Sequence, residues 1–147
     1  MDGYTESFGA GGADAWLIKT DSNGTELWNR TFGGPYTDNL YSVQKTKDGG
    51  FILAGSTQQT SDYNDTQALL IKTNSKGIQE WNMTFGGKDI DFINFAQETR
   101  EGEYILVGGT YSYGKVSEVW VIKVGFNKNT DAMLEKPAPE LENVKDL

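Results

Sequence analysis

Aspartates are the side chains of this sequence whose type and spacing come closest to supporting chemistry. Six of them lie in or beside the longer polar segments: Asp14, Asp38, Asp62, Asp65, Asp89 and Asp91. Carboxylates grouped in this way can bind Ca²⁺ or act as a general acid and base. Asp38 and Asp91, however, occupy equivalent places in two similar segments 53 residues apart. That equivalence favours a structural role, in which each carboxylate accepts hydrogen bonds from loop amides.

Other catalytic arrangements are excluded by composition. The 147 residues include no histidine and no cysteine, so Ser-His-Asp, Cys-His and histidine-based zinc sites cannot form. Neither a disulfide framework nor a thiolate site is available. We therefore expect no catalytic residue, no metal site and no cofactor.

A short acidic segment, Asp21 to Glu26, superficially resembles a calcium loop. Its counterpart one repeat later, Asn74 to Gln79, has lost both carboxylates and gained a lysine. A repeated calcium site would keep its carboxylates. The segment is therefore predicted to be a hairpin turn.

Four tyrosines in loop segments could stack on a sugar or a peptide: Tyr36, Tyr63, Tyr111 and Tyr113. The alternative is that they cover neighbouring apolar surface, as loop tyrosines often do. Together with three of the aspartates they make up the predicted ligand-binding rim: Tyr36, Asp38, Tyr63, Asp65, Asp91, Tyr111 and Tyr113.

The net charge of the chain limits the classes of partner that it is expected to bind. A net charge of −8 and a pI near 4.5 argue against binding to nucleic acid or anionic membranes, since both are negative. No apolar run has the length of a membrane span, and the N-terminus has neither a basic nor an apolar segment. We expect no membrane insertion and no signal peptide in this chain.

An internal repeat indicates which elements position these side chains. Trp28 to Gly34 returns as Trp81 to Gly87, and Asp48 to Thr57 returns as Glu101 to Thr110, both at an offset of 53 residues. A third copy begins at Trp120. Fixed periods of this length indicate a solenoid, a propeller or an array.

Each repeat contains four strand-like segments separated by turn residues. In the complete copy these segments are 39–46, 50–57, 67–73 and 78–85, rich in Ile, Leu, Val, Thr and aromatic residues. Apolar runs such as Phe51 to Ala54 and Ala68 to Ile71 are typical of sheets buried on both faces. Four-stranded meanders with this period predict an all-β fold, a partial β-propeller of about two and a half blades.

The turns of a meander alternate between the two ends of its strands, which divides the loops into two rims. Tight turns at 21–24, 47–50, 74–77 and 101–102 are predicted on one rim, and longer loops at 7–13, 33–38, 58–66, 86–91 and 111–117 on the other. The longer loops differ in sequence between copies. Variable loops on a fixed scaffold are common binding surfaces.

The predicted domain is a propeller repeat domain over 1–126, with a partial blade at 1–34, a full blade at 35–87 and a partial blade at 88–126. A ring needs about four blades, so the chain is expected to be a fragment or to self-associate through its open blade faces. Residues 127–147 are charged and contain prolines. They are predicted to be a disordered or linker tail.

The segments Trp16 to Gly24, Trp28 to Gly34 and Asp48 to Thr57 resemble the propeller repeats of extracellular surface proteins from methanogenic archaea and some bacteria. They are more distantly similar to quinoprotein and Kelch blades. In quinoprotein blades a tryptophan near the end of the repeat docks adjacent blades, and Trp28 and Trp81 hold the comparable place. The resemblance implies an extracellular or cell-surface parent protein.

These observations predict a non-catalytic module that recognises a protein or a glycan on the long-loop rim. Two alternatives remain open: a structural fragment that self-associates, and a carboxylate-dependent hydrolase or lyase whose site forms only in a complete ring. Asn23 and Asn64 begin N-x-Ser/Thr sequons in turns or loops, so they are the predicted glycosylation sites if the parent is exported.

Overall fold

The computed structural model describes residues 2–6, 9–114, 117–126 and 140–143, and all their regular elements are β-strands. The all-β prediction is therefore confirmed. None of the described residues belongs to a helix suited to crossing a membrane. The strands are β1 (Asp2–Thr5), β2 (Asp14–Thr20), β3 (Glu26–Phe32), β4 (Asp38–Lys45), β5 (Phe51–Gln58), β6 (Thr66–Thr73), β7 (Gln79–Phe85), β8 (Asp91–Glu98), β9 (Tyr104–Thr110), β10 (Glu118–Gly125) and β11 (Glu140–Asn143).

The strands form three antiparallel sheets, each a meander in chain order. The first sheet contains β1, β2 and β3, the second contains β4 to β7, and the third contains β8 to β11. The predicted hairpin turns are confirmed: glycines with φ between 73° and 85° occupy four of them, at Gly24, Gly49, Gly77 and Gly102. Positive φ costs glycine little, so these turns stay short.

The second sheet is buried on both faces because alternate side chains of its two central strands point in opposite directions. One set packs with the third sheet: Ile52, Ala54, Ala68 and Leu70. The intervening set packs with the first sheet: Leu53, Leu69 and Ile71. The continuous apolar runs seen in the sequence thus supply two cores.

Equivalent aromatic contacts join the sheets. Trp28 on β3 meets Phe51 on β5 edge to face, with ring centroids 6.0 Å apart. Trp81 on β7 meets Tyr104 on β9 in the same way at 5.6 Å. Phe51 and Tyr104 are also one repeat apart. Each tryptophan near the end of a repeat therefore contacts the following sheet, as expected from the sequence.

A buried lysine lies on the tight-turn side of the interface between the second and third sheets. Lys72 is 4% exposed, and its Nζ lies 2.7 Å from Asp48 Oδ2 and 2.8 Å from Glu80 Oε2. Burial acts to lower the pKa of Lys72, but the hydrogen bonds and charges of the two carboxylates outweigh it and leave that pKa raised. The hydrogen bond from Lys72 in turn lowers the pKa of Asp48 to about 2. The Lys72 ammonium group is therefore paired with the Asp48 and Glu80 carboxylates.

The predicted tail contains a strand. β11 pairs antiparallel with β10, with Lys123 opposite Glu142 and Gly125 opposite Glu140. This pairing satisfies backbone N–H and C=O groups on the outer edge of β10, which would otherwise be free to template another strand. The rest of the predicted tail lies outside the described residues.

Candidate functional site

A cleft opens between the second and third sheets at their long-loop ends. It has a volume of about 370 Å³, near the small end of the range for small-molecule sites. Its walls come from β4, β5, the first residue of β6, β8 and the adjoining loops. The lining residues are Thr37, Asn39, Tyr41, Ser56, Gln58, Tyr63, Thr66, Ile90, Phe92, Asn94 and Tyr111.

Irregular pairing between strands determines where two of these side chains lie. The β4–β5 register shifts between Leu40 and Ser42, which leaves Tyr41 without a partner residue on β5. The β8–β9 register shifts in the same way around Asn94. A β-bulge of this kind bends its strand and redirects the extra side chain. Both bulged residues line the cleft.

A glycine stands opposite each bulge. Gly55 pairs with Leu40, and Gly108 pairs with Ile93. A Cβ on Gly55 would lie 1.8 Å from the Asn39 carbonyl oxygen, and one on Gly108 would lie 1.9 Å from the Phe92 carbonyl oxygen. Only glycine permits this backbone approach, so the two glycines are needed to shape the cleft.

The polar groups of the cleft use only part of their hydrogen-bonding capacity within the described protein. The Tyr41 hydroxyl and Ser56 Oγ share a hydrogen bond of 2.9 Å. Gln58 Nε2 donates to the Thr60 carbonyl at 2.7 Å. Within the described ranges, the side-chain amides of Asn39 and Asn94 make no hydrogen bond to protein. They are free to donate to and accept from a ligand.

The two repeat-equivalent aspartates lie behind the rim. Asp38 is 2% exposed and Asp91 is 0% exposed. Asp38 Oδ2 accepts from the Gly34 amide and Asp91 Oδ2 accepts from the Gly87 amide, each at 2.9 Å. Burial leaves neither carboxylate exposed on the surface of the predicted ligand-binding rim. The structural alternative, bonding of loop amides, is what the structure contains.

Burial also affects ionisation at this rim. Loss of hydration raises the pKa of Asp38, although hydrogen bonds from Thr57 and the Gly34 amide act in the opposite direction. The neighbouring charge of Asp14 raises that pKa further. Asp14 itself is buried and accepts from the Ala10 amide at 3.1 Å. These carboxylates hold the loops by accepting hydrogen bonds from backbone amides.

The remaining predicted rim residues separate into two groups. Tyr63 and Tyr111 line the cleft and are 66% and 44% exposed. Tyr36, Asp65 and Tyr113 are not among its lining residues. Tyr113 packs edge to face on Trp120 at 5.6 Å, which matches the alternative in which a loop tyrosine covers apolar surface.

The loop beginning at Asp21 forms a hairpin turn, as predicted. Asp21 Oδ1 accepts from the amides of Asn23 and Thr25 at 2.8 and 2.9 Å. Over the described ranges, no group of three or more acidic residues is arranged to hold a metal ion. The predicted glycosylation sites, Asn23 and Asn64, are both exposed.

The sequence prediction missed the strand residues of the cleft, chiefly Asn39, Tyr41, Phe92 and Asn94. A signal for them exists in the repeat. Asn39 is equivalent to Phe92, and Tyr41 to Asn94, so an amide and an aromatic residue exchange places between copies. The apolar residues around them keep their character. Polar and aromatic side chains exchange at these two positions while their buried neighbours Leu40 and Ile93 stay apolar, which indicates that the exchanged residues do not serve the core.

No model of a known protein family matches this chain, and no curated protein matches it closely enough to indicate a relationship.

Proposed function

We propose that this chain is part of a β-propeller and acts as a non-catalytic binding module of a cell-surface protein, recognising a glycan or protein through its long-loop rim. The propeller assignment is supported by successive antiparallel meanders packed face to face through equivalent tryptophan contacts. Stacked meanders of this kind are the building units of propellers.

The cleft between the second and third sheets carries the binding proposal. It combines aromatic side chains with amides and hydroxyls that have capacity for further hydrogen bonds. Such a mixture of apolar walls and a few placed polar groups is typical of ligand sites. The exchange of amide and aromatic side chains between the equivalent positions 39 and 92, and 41 and 94, also falls here.

Binding on glycan and protein arrays tests this function. Tyr111→Ala removes an aromatic wall of the cleft, and we expect it to abolish the array signal of the unmodified chain. Tyr113→Ala is the matched control, since Tyr113 lies on the same loop but outside the cleft; its signal should remain. Absence of any ligand on both arrays would overturn the proposal, as would equal loss in the two variants.

Self-association is a second candidate, favoured by the outer face of the third sheet. Phe95, Val107 and Val119 are exposed there, and Val119 is 83% exposed. Val107 is one repeat from Ala54, and Val119 pairs with Gly109 as Ala68 pairs with Ser56. The third sheet buries both alanines. Large apolar residues left uncovered at such positions favour contact with a second copy.

Light scattering at rising protein concentration tests this association. We expect a concentration-dependent dimer that Val119→Asp converts to monomer, because a charge on the buried face carries a desolvation cost. Ile78→Asp is the control, since Ile78 is also exposed but lies in a tight turn. A monomer at every concentration would exclude this candidate.

A further inference from the structure

We infer that the cleft between the second and third sheets binds a neutral saccharide. This inference rests on the proposed binding function and names the chemical class of its ligand. It is carried by three features that the described residues give the cleft: a lining without charged side chains, amides without hydrogen-bond partners, and aromatic walls. Each restricts the ligand independently.

Charge is the first feature. None of the eleven lining residues in the described part of the chain is charged, although the full sequence contains 34 residues of Asp, Glu, Lys and Arg. A charged ligand group would lose hydration in the cleft without gaining an opposite charge. The net charge of −8 further disfavours anions. The ligand is therefore neutral.

Hydrogen-bonding capacity is the second feature. Asn39 on β4 and Asn94 on β8 face the cleft from opposite walls, and each side-chain amide has donors and an acceptor without a partner in the described residues. The Tyr41 and Ser56 hydroxyls add another donor and acceptor pair. A sugar can satisfy these donors and acceptors, since each of its hydroxyl groups both donates and accepts a hydrogen bond.

Aromatic surface is the third feature. Tyr63 and Tyr111 come from two different loops, and Phe92 adds a ring from β8. The face of an aromatic ring is negative and attracts the positive edges of neighbouring groups. The C–H face of a pyranose supplies such edges, while its hydroxyls remain directed to the amides. A volume of about 370 Å³ limits the occupant to a small saccharide or the end of a longer glycan.

An extended peptide fits the cleft less well. Peptides commonly bind a sheet by adding a strand to a free edge, and β4 and β8 are both terminal strands of their sheets. Both strands, however, carry a bulge inside the cleft, at Tyr41 and Asn94. A bulge interrupts the regular row of backbone donors and acceptors that strand addition requires.

Calorimetric titration of the whole chain tests the inference. The neutral probes are methyl glycosides of glucose, galactose, mannose and N-acetylglucosamine, with lactose and cellobiose. The comparison probes are glucuronate, N-acetylneuraminate and an uncharged heptapeptide. We expect at least one neutral probe to bind and the comparison probes not to bind. We expect Asn94→Asp to weaken the neutral probe about tenfold, because it removes the amide donors.

Gln97→Glu is the matched control. Gln97 lies exposed on the same strand, outside the cleft, and undergoes the same change of charge; it should change the affinity less than twofold. Thermal unfolding of both variants verifies that they fold. Equal affinities of the two variants would overturn the inference. Binding of only a charged saccharide or the peptide would overturn it while leaving the proposed function intact, and failure of every probe together with empty arrays would overturn both.

Discussion

Gly55→Ala is expected to lower the free energy of unfolding by about 3 kcal/mol, the upper part of the range for overpacked interiors. The added Cβ would lie 1.8 Å from the Asn39 carbonyl oxygen and 3.0 Å from the Leu40 Cα. Both atoms belong to backbone that is fixed by pairing with β5. The new methyl group can therefore fit only if β4 moves and the bulge at Tyr41 is lost. Urea denaturation measures the effect.

Gly34→Ala is the control for this prediction. A Cβ on Gly34 would meet no atom within 4 Å, and its φ lies outside the left-handed region. The variant also keeps the amide that donates to Asp38. Its free energy of unfolding should change by less than about 0.5 kcal/mol. Equal effects of the two substitutions would show that Gly55 is not held against β4 as described.

Leu70→Ala is expected to lower the free energy of unfolding by about 3 kcal/mol, within the range for buried leucines. Leu70 is fully buried between the second and third sheets, among residues that include Ile93, Leu106 and Ile122. Truncation removes apolar contacts and leaves a cavity among side chains held by two sheets. Thermal or urea unfolding of the whole chain measures the loss.

Val119→Ala provides the comparison for Leu70. Val119 lies on β10, the strand of the third sheet equivalent to β6, but is 83% exposed. Its truncation should change the free energy of unfolding by less than about 0.5 kcal/mol in the monomer. Similar costs for the two variants would contradict the packing of the third sheet on the second.

Most of the fold was predictable because the repeat presents the same local pattern more than once. Turn glycines such as Gly49 and Gly102 mark equivalent hairpins, and the apolar run from Phe51 to Ala54 indicates burial on both faces. Trp28 and Trp81 were expected to dock neighbouring units, and their ring contacts confirm it. These features depend on local sequence and on stacking of like units.

The cleft was less predictable because it forms between strands from different repeats. Asn39 and Asn94 approach a common space only after the two sheets pack, and the bulges that carry Tyr41 and Asn94 arise from register between strands. Of the loop tyrosines predicted from the sequence, Tyr63 and Tyr111 line the cleft. The contribution of strand residues required the packed structure.

For the aspartates of the predicted rim, the sequence indicates the hydrogen-bonding role but not the burial. Asp38 and Asp91 have the sequence character of exposed loop residues, yet both turn inward and accept hydrogen bonds from Gly34 and Gly87. Backbone amides in a tight loop need acceptors when they are buried, and a nearby carboxylate supplies them. Their equivalence across the repeat predicts this role from the sequence alone.

The central claim is that the uncharged cleft between the second and third sheets is a binding site. Nuclear magnetic resonance of the isotope-labelled chain, titrated with the neutral saccharide probes, tests it most directly because the side-chain amides of Asn39 and Asn94 report from inside the cleft. The claim predicts saturable shifts in these amides and in the backbone amide of Tyr111, with the tight-turn residues unaffected. Shifts confined to other surfaces, or none at saturating probe concentration, would contradict it.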